Sequence, residues 1–315
     1  MASQVSTSIN AERCTGCGLC VSVCPADTLA LRDGKAWVVG SHSLACGHCA
    51  AICPVGAVTV GEIDPASLAF ATLALDRHCW LAPGDFDPAA LVSLMASRRS
   101  CRNYSDRPVS RELFDDLVKI GATAPSGTNS QRWTFTVLDS RAQVLALGQL
   151  IADFFARLNR RAANPLLRNL LAVAGKPALR DYFHRHHQSV AVALKAWREE
   201  GHDLLFHGAT GVILVGSRSG ASCPQEDALL ATQNILLAAH AMGLGTCLVG
   251  YVVEALRRDG PSRRLLQLAV DEPIYAVIAL GYPREPYLRL TGRKKTVVRY
   301  PLAGAAGRAG GGAGS

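Results

Sequence analysis

The side chains best suited to chemistry are cysteines, and they are bunched. Of eleven in 315 residues, seven lie between Cys14 and Cys53. The first group runs Cys14-x2-Cys17-x2-Cys20-x3-Cys24 before Pro25; the second runs Cys46-x2-Cys49-x3-Cys53 before Pro54. Thiolates at this spacing wrap a compact loop around one cuboidal iron–sulfur cluster while the last cysteine points at a second. Zinc knuckles are the competing reading, but zinc favours two Cys-x2-Cys pairs or histidine partners over four cysteines ending in proline. Met1 to Asn10 is polar and shows no apolar leader, so a cytoplasmic, reducing setting is expected, with metal ligands rather than disulfides.

Across residues 9 to 61 the pattern resembles the two-cluster bacterial ferredoxins. The resemblance implies two [4Fe-4S] clusters with crossed ligands: Cys14, Cys17, Cys20 and Cys53 on one, Cys24, Cys46 and Cys49 on the other. The slot where the second group should begin holds Ser43, after His42. Three outcomes follow: a four-iron cluster with Ser43 or His42 as ligand, a three-iron cluster, or a lost cluster. Serine oxygen matches iron–sulfur less well than thiolate, and non-cysteine ligation moves cluster potential. Two clusters are expected, the second atypical. Cys79, Cys101, Cys223 and Cys247 lack ligand spacing and are expected to be structural.

A second set of residues suits a phosphorylated cofactor. Arg98-Arg99-Ser100-Cys101-Arg102 offers planar guanidinium forks that donate paired, charge-assisted bonds to phosphate, although Arg98-Arg99 alone also fits an exposed helix end. Pro125-Ser126-Gly127-Thr128-Asn129-Ser130-Gln131-Arg132-Trp133 follows, then Gly243-Leu244-Gly245-Thr246-Cys247, then Gly281-Tyr282-Pro283 with Arg293-Lys294. In this order over residues 91 to 300, the four pieces resemble the signatures of the nitroreductase family. That resemblance implies FMN, with Arg98, Arg99, Ser100, Arg102 and Arg293 at its phosphate. Pro125, Ser126, Gly127 and Asn129 would face the ring and ribityl chain, and Gly245 would allow close approach of backbone. A backbone N–H within Leu244, Gly245 and Thr246 would bond flavin N5. The glycines at 243 and 245 also read as a plain helix end. The implied fold is α+β: a sheet flanked by helices, built as an interlocked homodimer with FMN at the subunit interface. The implied enzyme is an FMN-dependent oxidoreductase with no catalytic side chain of its own.

These residues need a frame. The sequence divides into a ferredoxin-like domain at 1–62, a linker at 63–90, an FMN domain at 91–301 and a Gly/Ala-rich disordered tail at 302–315. Turn signals Pro83-Gly84 and Asp87-Pro88 mark the linker. A helix is expected after Ser110, strands at 133–138, 211–215 and 274–280, and helices over 141–202 broken at Pro165 and Pro177. Ser222 with Gln225 reads as a capping box for a helix that is apolar all round and stops near Gly243. Residues 141–202 are expected to form the dimer interface and substrate lid, with His184, His186 and His187 as a surface cluster.

Composition agrees with this frame and narrows the function. Hydrophobic residues make up 49% and charged residues 18%, enough for a buried core. The net charge of +8 fits phosphate-bearing cofactors, and no clustered basic motif points to nucleic acid. The most apolar stretch, Ala228 to Gly250, is broken by Gln233, Asn234 and His240, so no membrane span is expected. The family resemblance, with the cysteine-rich segment ahead of it, implies an activity that passes electrons between clusters and an electron-poor small molecule: a nitroaromatic, a quinone or a related conjugated compound. NAD(P)H and ferredoxin are both open as donors. The alternatives are an electron carrier or redox sensor, or a flavin dehydrogenase that delivers electrons to ferredoxin.

Overall fold

The computed structural model describes residues 5–76 and 79–300; the expected tail at 302–315 lies outside them. Glycine turns organise the cysteine-rich end. Strand β1 (Thr7–Ile9), helical turn α1 (Leu19–Ser22), strands β2 (Leu29–Arg32) and β3 (Lys35–Val38), helical turn α2 (His48–Ala51) and strand β4 (Val58–Val60) follow in order. β1 pairs antiparallel with β4, and β2 with β3. Gly18 (φ 77°) starts α1 and Gly47 (φ 76°) starts α2, left-handed positions that glycine enters without a Cβ clash. The core here is small: Cys20, Leu29, Ala36 and Val58. So little apolar burial leaves metal binding as a natural source of stability.

The connector is fastened to the next unit. Helix α3 (Pro88–Ser97) starts with Asp87 as its cap, accepting the Ala89 N–H at 2.8 Å, with Pro88 in the first turn. Asp87-Pro88 therefore opens a helix rather than only turning the chain. Helix α4 (Arg111–Gly121) is capped by Ser110 as the sequence indicates. On it, buried Asp116 accepts bonds from the Ala71 N–H (2.9 Å), the Thr72 N–H (2.7 Å) and the Thr72 hydroxyl (2.6 Å).

A four-stranded antiparallel sheet carries the second unit. Strand β5 (Trp133–Leu138) is followed by helices α5 (Arg141–Ala163), α6 (Pro165–Val173), α7 (Ala178–Arg185) and α8 (His187–Glu199). Then come β6 (Gly211–Ser217), α9 (Pro224–Ala241), β7 (Gly245–Leu248), α10 (Gly250–Leu256), α11 (Gly260–Leu265) and β8 (Ile274–Gly281). The sheet order is β5-β6-β8-β7. Alternation along β6 splits the core into two layers. Val212 and Leu214 pack with Val144, Leu147 and Ile151 of α5 and with Val252 and Leu256 of α10. Ile213 and Val215 pack with Phe114 and Leu117 of α4 and with Ala231 and Ile235 of α9. Helices on both faces explain why β6 and β8 read as near-continuous apolar runs.

One local expectation fails. Helix α9 begins at Pro224, and its cap residue Cys223 makes no side-chain cap bond. The Ser222 hydroxyl is bonded instead to the Thr128 hydroxyl at 2.7 Å, so no capping box forms. Among the described residues no helix is long and apolar enough to cross a membrane.

Candidate redox site

The two cysteine groups interleave around two small cavities. One is lined by Cys14, Cys17, Cys20 and Cys53, with Ala36, Ala57 and Val58. The other is lined by Cys24, Cys46 and Cys49, with Ser43, Leu44, Ala45 and His48. Each group thus lends its last cysteine to the other's cavity. Backbone N–H groups already point at sulfur: Ala36 at Cys14 (3.4 Å), Ala57 at Cys53 (3.2 Å) and Thr28 at Cys24 (3.3 Å). The N–H groups of Ala36 and Gly16 hold the Cys14 thiol below its ordinary pKa. Burial pushes Cys24 up, but the Thr28 hydroxyl and the amides of Ala26, Thr28 and Leu29 outweigh it, so its thiol too is lowered. Burial instead pushes the Cys20 and Cys49 thiols up; the first cavity fits a [4Fe-4S] cluster because four sulfurs line it. In the second, Ser43 stands at the wall and its Oγ accepts the Ala45 N–H at 3.0 Å. His42 does not line that cavity; its carbonyl accepts the Thr28 hydroxyl at 3.0 Å.

The arginine segment runs beside the sheet edge. Ser100 bridges in parallel to Thr246 of β7, and the Cys101 N–H donates to the Thr246 carbonyl at 2.9 Å. Extended backbone sends alternate side chains to opposite sides. Arg102 reaches a large cavity, whereas Arg99 bonds the Thr291 carbonyl (3.2 Å) and hydroxyl on the C-terminal segment. Burial pushes the Cys247 thiol up, while the positive charges of Arg102 and Arg98 act against that. Arg102 thus faces the cavity, while Arg99 turns toward the segment that carries exposed Arg293.

Leu244, Gly245 and Thr246 do not line the large cavity. Leu244 is buried and its N–H caps α9 on the Ala239 carbonyl at 2.8 Å. A Cβ on Gly245 would sit 2.8 Å from that of Cys101, so its smallness admits the arginine segment. Thr246 pairs with Leu280, and its buried hydroxyl has no hydrogen-bond partner among the described residues. The chain meets the cavity further on, at Cys247 to Tyr251, where β7 turns into α10.

The loop after Pro125 is held from both sides. The buried carboxylate of Asp227 accepts the Gly127 N–H at 2.8 Å and the Ser130 hydroxyl at 3.4 Å. The Ser126 hydroxyl accepts the Gln131 N–H at 3.0 Å. Thr128 (φ 53°), Asn129 (φ 54°) and Gln131 (φ 46°) are left-handed, which is uncommon for side-chain-bearing residues and clusters where function constrains backbone. The Asn129 amide donates to the carbonyls of Leu44 (2.9 Å) and Ala45 (3.2 Å) in the cysteine-rich unit. Pro125, Ser126, Gly127 and Asn129 are thus brought together, but away from the large cavity of their own chain.

That cavity encloses about 1000 Å³ between the sheet end and helices α5 to α7. Phe154, Phe155, Tyr182 and Tyr251 give it aromatic walls; Phe155 meets Tyr251 edge-on at 5.5 Å. Arg161, Lys176, Arg185 and Arg258 give it a basic rim, against Asp181 and Glu254. Tyr182 donates to Asn159 Oδ1 at 2.6 Å, and burial, helped by Tyr251, pushes its hydroxyl up to about 12. Burial lowers the His207 pKa, with Asp203 opposing and Arg102 assisting, so the imidazole is biased to its neutral form. His186 is exposed, as expected, and stands at the cavity's edge. No sequence motif carries these residues; they converge from separate helices.

Comparison with known proteins gives this arrangement a family. Residues 95–282 match the model of the nitroreductase family, and residues 7–30 match that of the 4Fe-4S binding domain. The chain is 27% identical to an iodotyrosine deiodinase of Haliscomenobacter hydrossis, covering 65% of this chain and 87% of that protein. It is 29% identical to a 4-nitrobenzoate reductase of Pseudomonas putida, covering 65% and 88%. Among solved structures, a nitroreductase with bound FMN from Bacteroides fragilis is 19% identical, covers 67% of this chain and 98% of its own, and has a TM-score of 0.47. With more than half of its length inside the family's bounds, the chain belongs to the nitroreductase family and carries a 4Fe-4S binding domain ahead of it.

Proposed function

We propose that this oxidoreductase holds FMN in the large cavity beside Arg102 and passes electrons between its iron–sulfur clusters and a planar, electron-poor, anionic acceptor. The observation that carries this reading is the cavity: aromatic walls and a basic rim open beside the arginine segment. When bound, FMN supplies chemistry that exchanges one or two electrons, and the clusters supply one at a time.

The chain's own residues bind and orient. Arg98, Ser100 and Arg102 are suited to the FMN phosphate, and Cys247 to Gly250 give the ring a backbone wall. Phe154, Tyr182 and Tyr251 offer faces and edges on which a flat acceptor packs. Arg161 and Arg185 attract a carboxylate on that acceptor, and the similarity to a 4-nitrobenzoate reductase points the same way. A homodimer would bring the partner's loop after Pro125 to this cavity, which accounts for its facing away within one chain. Donor electrons enter from a reduced ferredoxin or from NAD(P)H, and the setting is cytoplasmic.

The test is anaerobic. Protein reconstituted with FMN, iron and sulfide is reduced, then mixed with 4-nitrobenzoate, nitrobenzene or a quinone while the flavin absorbance is followed. Rapid reoxidation with preference for the anionic compound is expected. Failure to bind FMN, or slow reoxidation by every acceptor, would overturn the proposal.

A further inference from the structure

Asn129 ties the signature loop to the second cysteine cavity and not to the first. Leu44 and Ala45, whose carbonyls accept its amide at 2.9 and 3.2 Å, line the cavity of Cys24, Cys46 and Cys49. They also stand between Ser43 and Cys46 in the chain. The amide oxygen is engaged in turn by Gln131 Nε2 at 3.0 Å. Behind the loop, Gly127 is bonded to Asp227 on α9. Hydrogen bonds thus link the helix behind the sheet, through one loop, to the residue next to a cluster ligand. Asparagine is among the few side-chain-bearing residues that tolerate φ 54°, usually by bonding locally. Here the amide is spent between units. Among the described residues the first cavity has no such tie, and its Cys17 is exposed.

Resting on the proposal that clusters and FMN exchange electrons, we propose an order for the path. The Ser43-bearing cluster is the one nearer the flavin, reached across the proposed dimer where the loop after Pro125 meets the partner subunit's cavity, and Asn129 is the positioning residue that holds it there. The cluster of Cys14, Cys17, Cys20 and Cys53 is the outer port. A one-electron donor of the reduced-ferredoxin class gives one electron to the outer cluster, which passes to the inner cluster and on to the flavin. Two such transfers and two protons from water complete the flavin's reduction, and two donor molecules are oxidised.

The test uses holoprotein with both clusters and FMN, as wild type, Asn129→Gly and Asn129→Asp. Glycine takes φ 54° without strain, and aspartate keeps the shape while setting a carboxylate against two carbonyls. Each protein is mixed anaerobically with dithionite; flavin bleaching is compared with that of cluster-free protein, and electron paramagnetic resonance records each cluster. Both variants should slow cluster-dependent flavin reduction about tenfold, equivalent to about 1.4 kcal/mol of docking. Both should alter the second cluster's signal and leave the first cluster's signal unchanged, with the rate compared per bound flavin. An unchanged rate with an unchanged second-cluster signal overturns the proposal. So does weakened FMN binding with an unchanged rate per bound flavin, which would return Asn129 to the flavin site. Wild-type flavin reduction no faster than the cluster-free baseline is a different result: it removes the functional reading itself.

Discussion

The carboxylate of Asp227 and the backbone N–H of Gly127 lie 2.8 Å apart, and this contact fixes the signature loop to the helix behind the sheet. The glycine suits this tight approach: a Cβ there would meet the Cys223 sulfur at 3.0 Å, and that side chain would have to give way. Asp227 is buried, yet its carboxylate serves a backbone donor and a hydroxyl, so its charge is spent on shaping a loop.

Replacing Asp227 by alanine leaves the Gly127 N–H without its acceptor. Loss of a charged hydrogen bond predicts destabilisation by about 1.5–3 kcal/mol. Thermal unfolding of the apoprotein should show it, together with weaker FMN retention by fluorescence titration. Asp227→Asn, which keeps one oxygen, should lose less.

Asp116 predicts a pH dependence. Burial raises its pKa, but the Thr72 hydroxyl, the Ala71 and Thr72 amides and Lys119 outweigh that and hold it below the ordinary value. A depressed carboxylate stabilises the folded state fully above its unfolded pKa of about 3.9, and that stability is lost as pH falls through the lower folded value. Connector cleavage by an acid protease should therefore rise only well below pH 4. Asp116→Ala should be cleaved faster at pH 7 and be less stable by about 3 kcal/mol.

Arg102 is exposed at the cavity, so its loss should barely touch the apoprotein's melting temperature. Removing a charged donor to phosphate predicts FMN binding weaker by about 10- to 100-fold, roughly 1.5–3 kcal/mol. Fluorescence titration of Arg102→Ala and of Arg102→Lys should rank wild type first and alanine last.

The rim arginines should act on substrate charge. Arg161→Ala and Arg185→Ala are each expected to raise KM for 4-nitrobenzoate about fivefold, about 1 kcal/mol, with little change for nitrobenzene. Added salt should shrink the difference, since both side chains are exposed.

Two four-iron clusters predict about eight irons per chain in wild type. Ser43→Cys should keep that count while changing the second cluster's resonance signal and potential. A wild-type count near four would overturn the two-cluster expectation.

The sequence carried the parts whose chemistry depends on short spacing. The ferredoxin resemblance grouped the cysteines as they line the two cavities, and the β6 and β8 apolar runs announce a buried sheet. Ser110 capped its helix as read. Ser222 did not, because the Thr128 hydroxyl from a loop ninety-four positions earlier in the chain claims it, and no local pattern reports that. Gly245 was expected to allow close approach of backbone, and in the fold its missing Cβ also leaves room for Cys101. The cavity walls were least legible. Phe154, Tyr182 and Tyr251 converge only after four helices have packed.

The Asp116 clamp has a consequence for how the donor step is delivered. Between Val60 at the end of β4 and the clamped Ala71 the chain has ten residues of lead, at most about 35 Å when fully extended. A carrier on so short a leash samples its docking site at an effective concentration in the millimolar range, whatever the amount of protein present. On the proposed path, delivery from the inner cluster should then be indifferent to dilution, while arrival at the outer one still obeys the collision frequency of a free donor.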